Sequence, residues 1–378
     1  MRIIHLSDLH IGKRVNEYSM LEEQEFILLR ILNIIDEEKP AAVIIAGDVY
    51  DKTMPSAEAV QLLDKFLTAL SSRGLKVFII SGNHDSAERL SFGACIMQRG
   101  GIYLSPVYNG DVGPITLCDE FGTLNFYLLP FIKPVHVRSR FPDETIESYS
   151  DAVKIAIAKM NINAAERNIL ITHQFVTGAS RSESEEISVG GSDNVDVSVF
   201  DAFDYVALGH IHGPQSVKRE TVRYCGTPLK YSFSEKSHKK SLTVIDMGEK
   251  GDIRLHVVPL IPKHNWRELK GSYDELTLKA NYEGTATDDF LRIVLTDEED
   301  VPDALSRLRI IYPNIMQLVY DNKRTRSRAV IDNIENPEQK SETEIFAEFY
   351  EDQNGKPMNE EQMTFVCELF EKLKEERA

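Results

Sequence analysis

Five short polar motifs in this chain each follow an apolar run of strand length: Asp8-Leu-His10, Gly47-Asp48, Gly82-Asn83-His84-Asp85, His173 and Gly209-His210-Ile-His212. Asp8, His10, Asp48, Asn83, His173, His210 and His212 offer oxygen and nitrogen donors and no thiolate. That set suits Mn²⁺, Fe²⁺ or Zn²⁺ over Cu(I) or an iron–sulfur cluster. Seven donors exceed the need of one metal. A carboxylate has two oxygens and can bridge, so Asp48 would allow two metals with four protein ligands each. Two metals about 3.5–4 Å apart clamp an in-line displacement and turn water into hydroxide near neutral pH. Two divalent cations outweigh two carboxylates and one hydroxide, so the site stays positive toward a phosphodiester anion. Asparagine and neutral histidine add donors without cancelling that charge. His84 is surplus to the ligand count, which leaves it to stabilise the transition state or protonate the leaving oxygen.

The motifs differ in specificity. Asp-x-His and Gly-Asp occur at many ordinary strand ends and turns. Gly-His-x-His is more specific, and the ordered set of five is highly so. Asp85 reads either as the N-cap of the following helix or as a support for its neighbours. His5 alternates within the first strand and reads as a packed core histidine. His136, His238, His256 and His264 fall outside any motif and read as structural.

The elements that carry these residues alternate. Ile3–Leu6, Ala42–Ala46 and Val77–Ile80 read as strands. Between them, Leu21–Glu37 reads as a helix with Ile27, Ile31, Ile34 and Ile35 on one face, ended by Pro40. A second helix begins near Pro55 and shows Val60, Leu63, Leu67 and Leu70 on one face; Ser86–Gln98 reads as a third. Such alternation implies a βαβ sheet. Ligand sites in open α/β sheets lie past the strand carboxyl ends, where all five motifs stand. Later segments are richer in β: a hairpin over Pro114–Phe131, a helix over Asp151–Met160, strands at Ile169–Thr172 and Tyr205–Leu208, and further strands to about Leu260. The expected fold class is α/β (α+β): one sheet from the βαβ half packed on a second from the β-rich half. Expected boundaries are 1–265 for this unit, 266–322 for a small strand–helix–strand unit (Phe290–Leu295, Val301–Ile311, Met316–Tyr320), 323–340 for a polar linker and 341–378 for a helical hairpin. In that hairpin Ser341 and Glu344 form a capping box. Gly355 and Pro357 break it, Asn359 and Gln362 restart it, and Met363, Val366, Phe370 and Leu373 form a stripe.

The chain has 378 residues, 42% of them hydrophobic and 27% charged, which argues for two or three folded units and against a disordered chain. No apolar run approaches the roughly 20 residues of a membrane span. His5, Ser7 and Asp8 interrupt what would be the apolar core of a signal peptide. Cys95, Cys118, Cys225 and Cys367 are scattered and read as reduced thiols of a cytosolic protein. Net charge is −17, unlike a typical nucleic-acid binder. Residues 341–378 hold 11 acidic and four basic side chains, so that segment carries seven of the negative charges. Bound divalent metals would reverse the sign locally.

The order Asp-x-His, Gly-Asp, Gly-Asn-His-Asp, His, Gly-His-x-His resembles the calcineurin-like metallophosphoesterase superfamily. Leu6-Ser-Asp-Leu-His-Ile-Gly12, Gly47-Asp-Val-Tyr-Asp51 and Gly226-Thr-Pro-Leu-Lys-Tyr-Ser-Phe-Ser-Glu235 resemble its SbcD family of nuclease subunits. The resemblance implies a metallophosphatase core of two sheets flanked by helices, a capping domain, and Mn²⁺-dependent 3′→5′ double-strand exonuclease and endonuclease activity on DNA ends and hairpins. It further implies dimerisation, an SbcC-like ATPase partner and a role in DNA repair and recombination. One metal would take Asp8, His10, Asp48 and His212, and the other Asp48, Asn83, His173 and His210. His84 would act on the transition state. Archaeal and eukaryotic relatives have a histidine where this chain has Asp51, so the resemblance assigns Asp51 no catalytic role.

The terminal hairpin shows an apolar stripe (Phe346, Phe349, Val366, Phe370) with no third helix to cover it, which predicts docking on a partner helix or folding back on the chain's own core. Lys13, Arg14 and Arg181 are candidate DNA-backbone contacts, Arg181 in the Gly- and Ser-rich loop 177–194. No aromatic–basic platform is visible, so backbone recognition with little base readout is expected. The competing enzymatic reading is a small-substrate phosphoesterase such as a cyclic-nucleotide phosphodiesterase. The roughly 110 residues beyond the core favour the nuclease, because a small substrate needs neither cap nor docking tail. A non-catalytic scaffold would have no use for the full donor set together with His84.

Overall fold

The strands of the first half are short and apolar on both faces, which suits a sheet covered on both sides. Arg2–Leu6, Ala42–Ala46, Lys76–Ile80 and Ile102–Leu104 pair in parallel. The computed structural model describes residues 1–326 apart from 17, 183–184 and 186–192, together with scattered residues between 343 and 370. Contacts divide the chain into two units, Met1–Trp266 and Arg267–Ala378.

In the first unit two six-stranded sheets face each other. The first runs Ile253–Pro259, Ser241–Met247, Arg2–Leu6, Ala42–Ala46, Lys76–Ile80, Ile102–Leu104. The second runs Gln215–Val217, Arg219–Tyr224, Tyr205–Gly209, Arg167–His173, Gly122–Leu129, Ile115–Asp119. Ile3, Ile44, Phe78 and Ile80 pack against Phe126, Ile169, Ile171 and Ala207 between them, with Phe78 stacked on Phe126 at 4.1 Å. Helix Tyr149–Ala158 covers the outer face of the second sheet through Val153, Ala156 and Ile157. Helices Leu21–Glu38 and Ala57–Ser72 bury Ile27, Ile31, Ile35, Leu63 and Leu67. Val60 is 44% exposed, so the expected face of the second helix is only partly inward.

Two expectations need correction. The sheets do not divide by sequence half: Ser241–Met247 returns to lie antiparallel against Arg2–Leu6, carrying Ile253–Pro259 with it. That pairing spans some 240 residues, and nothing local encodes it. The helix expected over Ser86–Gln98 breaks into Ala87–Leu90, Ala94–Met97 and a 3-10 turn at Gln98–Gly100. Gly93 adopts φ 74°, a left-handed conformation that interrupts helical hydrogen bonding. Ser86 caps the first piece, its hydroxyl accepting from the Arg89 N–H.

The strand Trp266–Gly271, which starts at the last residue of the first unit, forms one sheet with Phe290–Leu295 and Ile315–Tyr320 of the second, the last two parallel, with helix Ala304–Leu308 between them in sequence. The strand Trp266–Gly271 is absent from the sequence reading. Most of the linker 323–340, and Ser341, Glu344, Phe349, Gly355, Pro357 and Leu373 of the hairpin, lie outside the described residues. Among those described, Asn359 and Gln362 exchange side chain-to-backbone hydrogen bonds as a helix start requires. Phe346 meets Phe370 at 6.0 Å and Val366 is buried, whereas Phe365 and Leu369 stand exposed. Of the expected stripe, Phe346 is exposed and Val366 is not, and the second helix turns Phe365 and Leu369 outward instead. Among the described residues, no helix is long and apolar enough to cross a membrane.

Candidate metal centre

Parallel strands deliver the five motifs to one rim. Leu6, Ala46 and Ile80 end three strands of the first sheet; His173 and Gly209 end two of the second. Beyond each end the chain turns abruptly. Asp8, His10, Asp48 and His210 all adopt positive φ (52°, 45°, 47° and 100°), a conformation that a non-glycine residue holds only when its surroundings compel it. Gly47, Gly82 and Gly209 let the two rims close on each other. A Cβ on Gly47 or Gly209 would strike the His173 ring, one on Gly209 also the Ala46 carbonyl, and one on Gly82 the Asp48 carboxylate and backbone.

The seven donor side chains converge. His10 Nε2 lies 3.2 Å from His212 Nε2 and 3.7 Å from Asp48 Oδ2. His173 Nε2 lies 3.3 Å from Asp48 Oδ2 and 3.0 Å from Asn83 Oδ1, which is also 3.0 Å from His210 Nδ1. Asp8 Oδ1 accepts the His210 N–H at 2.9 Å. Three overlapping groups could hold an ion: Asp8, His10 and His212; His10, Asp48 and His84; Asp8, Asp48 and His173. Asp8, His10, Asp48, His173, His210 and His212 are each no more than 8% exposed. His84 is more open. Its N–H donates to Asp48 Oδ1 at 2.9 Å, and its Nδ1 donates to the Asp51 carbonyl at 3.0 Å. That leaves His84 Nε2 toward the centre, 4.0 Å from Asp48 Oδ2.

Burial and charge work against each other here. Burial pushes the Asp8 carboxyl up to about 6 and the His210 imidazole down to about 3. Burial would also lower His173, yet the Asp48 carboxylate beside it outweighs that and raises it to about 9. The carboxylates thus draw positive charge into the pocket.

The calcineurin-like phosphoesterase family matches residues 1–214, more than half of the chain. The type 5 capsule protein repressor C-terminal domain matches residues 262–354. The chain is 31% identical over 377 residues to the SbcD subunit of the SbcCD nuclease of Staphylococcus epidermidis, covering 98% of each. The protein of the same name in Staphylococcus saprophyticus is also 31% identical, covering 100% of this chain and 99% of the other. This chain belongs to the SbcD family of calcineurin-like phosphoesterases. A solved dimetal phosphatase from Danio rerio aligns over 69% of this chain and 96% of its own at 11% identity, with a TM-score of 0.40.

Like its phosphoesterase family, this SbcD-family chain is a hydrolase that uses divalent metals, and its residues fit them. The donors are imidazole, amide and carboxylate. Among the described residues Asp8 Oδ2 is buried without a hydrogen bond, and the His10 and His212 Nε2 atoms oppose each other at 3.2 Å. Two imidazole nitrogens that close need a proton or a cation between them.

Of the residues that hold this rim, sequence reading reaches Asp85 as one of two roles and misses Gln24, Tyr231 and Glu185. The Asp85 carboxylate accepts the N–H groups of Val49, Tyr50 and Gly82, tying two motif loops together. Gln24 donates to the His10 carbonyl and accepts from Gly12 N–H; Tyr231 donates to the Leu9 carbonyl. Glu185 accepts the His212 N–H at 2.7 Å. No spacing rule points to Gln24 or Glu185. Of the candidate DNA contacts, Lys13 is bound to Asp51 at 2.7 Å, and Arg181 is bound to Asp193 and stacked on Phe175. Arg14 is exposed. His5 is fully buried and bonded to Tyr205. His256 and His264 pair with Glu38 and Glu23.

Proposed function

We infer that this chain is a metal-dependent DNA nuclease, a 3′→5′ double-strand exonuclease and an endonuclease at ends and hairpins. One metal would be held by Asp8, His10, Asp48 and His212, the other by Asp48, Asn83, His173 and His210, with Mn²⁺ the proposed ion. When bound, such a pair neutralises phosphate charge and supplies hydroxide near neutral pH. Asp48 is suited to the shared position because its Oδ2 lies 3.7 Å from His10 Nε2 and 3.3 Å from His173 Nε2, one ligand of each proposed ion, while the His84 N–H holds Oδ1 in place. His84 commits Nδ1 to the Asp51 carbonyl, so its doubly protonated form gives the leaving oxygen a proton from Nε2. The observation that carries this reading is the convergence of all seven donors on one rim beside a more open histidine, in a chain alike over its whole length to the SbcD subunit of an SbcCD nuclease.

The remaining parts follow from that reading. Residues 1–265 are assigned as the nuclease domain, 266–322 as a capping domain, 323–340 as a linker and 341–378 as the hairpin that docks on an SbcC-like ATPase. Two copies pair, through the exposed apolar residues Met54, Val60, Phe92 and Ile96 that follow the motif loops. Lys13, Arg14 and Arg181 are the proposed contacts to the DNA backbone.

Labelled duplex and hairpin DNA with Mn²⁺ tests the reading. Wild type should cleave, and EDTA should stop it. His84→Gln should lose activity at least ~100-fold and keep its metal, the scale of a lost general acid; Asp48→Ala should lose both. Cleavage by Asp48→Ala at the wild-type rate would remove Asp48 from the shared position.

A further inference from the structure

His10 and His212 turn Nε2 toward each other, so each presents Nδ1 outward, and each Nδ1 faces a carboxylate. Asp51 Oδ1 stands 3.7 Å from His10 Nδ1, and Glu235 Oε1 stands 3.6 Å from His212 Nδ1. Each carboxylate is in turn gripped by a lysine: Lys13 Nζ lies 2.7 Å from Asp51 Oδ1, and Lys240 Nζ donates to Glu235 Oε2. Two chains of lysine, carboxylate and histidine therefore end on one point. The carboxylates come from unrelated places, a loop after Gly47-Asp48 and a 3-10 turn at Phe233–Glu235.

Stability does not account for the inner chain. Glu235 is 0% and Lys240 5% exposed, and an apolar pair of similar volume is as stable as a buried ion pair or more so. Lys240 also donates to the His212 carbonyl at 2.8 Å and to Thr227 Oγ1 at 2.6 Å, so its whole hydrogen-bonding capacity serves the His212 neighbourhood. On the other side His10 Nδ1 is buried and makes no hydrogen bond among the described residues. Its separation from Asp51 exceeds a hydrogen bond by about half an ångström, a gap that a small ring rotation closes.

We propose that Asp51 and Glu235 are positioning residues: they hold His10 and His212 as Nδ1–H tautomers, so that both Nε2 lone pairs point to one metal, while Lys13 and Lys240 cancel the charge those carboxylates would add. This rests on the metal-centre reading above. A carboxylate behind a ligating imidazole fixes its tautomer and raises its basicity. Two bare carboxylates more would erase the positive excess that attracts a phosphodiester; paired with lysine, they leave it intact. Asp51 has a second task, since its carbonyl holds His84. The loop after Asp48 thus sets a ligand and the proton carrier together, while Glu235 Oε1 faces His212 and also accepts the Tyr231 N–H and the Ser232 hydroxyl, both at 3.3 Å.

The test is calorimetric titration of the full chain with Mn²⁺, together with ¹⁵N spectra of the histidine side chains in metal-free protein. Glu235→Gln and Asp51→Asn should each weaken one of the two sites by about 10–100-fold. The other site should change less than about threefold. Glu144→Gln, an exposed partner of Lys159, should change neither. His212 should read as the Nδ1–H form in wild type and as a mixture of tautomers in Glu235→Gln. Because Glu235→Gln strands Lys240, the double variant Glu235→Gln with Lys240→Met separates folding from positioning. It should regain the wild-type melting temperature and keep the weakened site. Unchanged affinity and unchanged tautomer in both single variants, or full recovery of affinity in the double variant, would overturn the proposal. Wild type failing to bind two ions would instead overturn the metal-centre reading.

Discussion

Four of the seven donor residues sit at positive φ, and three glycines beside them have no room for a methyl group. The centre is thus shaped as much by backbone as by side chains. Gly82 shows this best. A Cβ there would overlap the Asp48 carboxylate and its backbone N–H, atoms that cannot swing aside. Gly82→Ala should therefore displace Asp48, lowering Mn²⁺ affinity at least about tenfold, while destabilising the fold by only about 1–3 kcal/mol, the usual range for an overpacked site. Titration calorimetry and urea melts on the same sample separate the two effects. Affinity equal to wild type would mean that the loop relaxes without moving Asp48.

Strand ends and helix faces set what each segment can do. The loops after Ala46 and Ile80 are knitted by Asp85, which accepts three backbone N–H groups. The sequence leaves Asp85 between helix cap and loop support; the hydrogen bonds assign it to the loops, and Ser86 takes the cap. The terminal hairpin shows how sensitive a helix face is to phase. A slip of one residue turns the surface by about 100°. Val366 is accordingly buried while its neighbour Phe365, and Leu369 one turn further on, face outward. Phe365→Glu with Leu369→Glu should reduce capture of an SbcC-like coiled coil at least about tenfold, as loss of two apolar anchors does, and leave Mn²⁺ binding of the chain unchanged. Capture at the wild-type level would place docking elsewhere.

Across the whole first unit, the sheets are joined by buried polar links as well as by apolar packing. Arg167 binds Asp119 and the Gly122 and Gly248 carbonyls, so the hairpin of one sheet is clipped to that of the other. His5 of the first sheet meets Tyr205 of the second at 3.0 Å. Burial pushes the His5 imidazole down to about 3. Unfolded, it takes a proton below its ordinary value of about 6.5; folded, it stays neutral to about pH 3. The native state therefore loses stability as pH falls through that window, on the order of 4 kcal/mol at its acid end. His5→Gln should flatten this limb, read as the change in urea midpoint between about pH 7 and pH 4, which lies inside the window. Equal slopes for variant and wild type would show that other groups carry the acid sensitivity.

The donor inventory was legible from the sequence because strand, turn and ligand types are local properties. Asp8, His10, Asp48, Asn83, His173, His210 and His212 each follow an apolar run, and parallel strands must end on the same side. The broken helix after Ser86 was hidden because helical periodicity outweighed a lone Gly93. The return of Ser241–Met247 to the first sheet was hidden because pairing between distant segments is chosen by the packing of the finished sandwich. The same holds for Glu235 behind His212 and Gln24 beneath His10: their sequence separations, 23 and 14 residues, carry no periodic signal. Composition and order decide which atoms can bind a metal, since those are properties of residues. Which atoms support them is decided only when the chain closes, since that depends on distances no local rule contains.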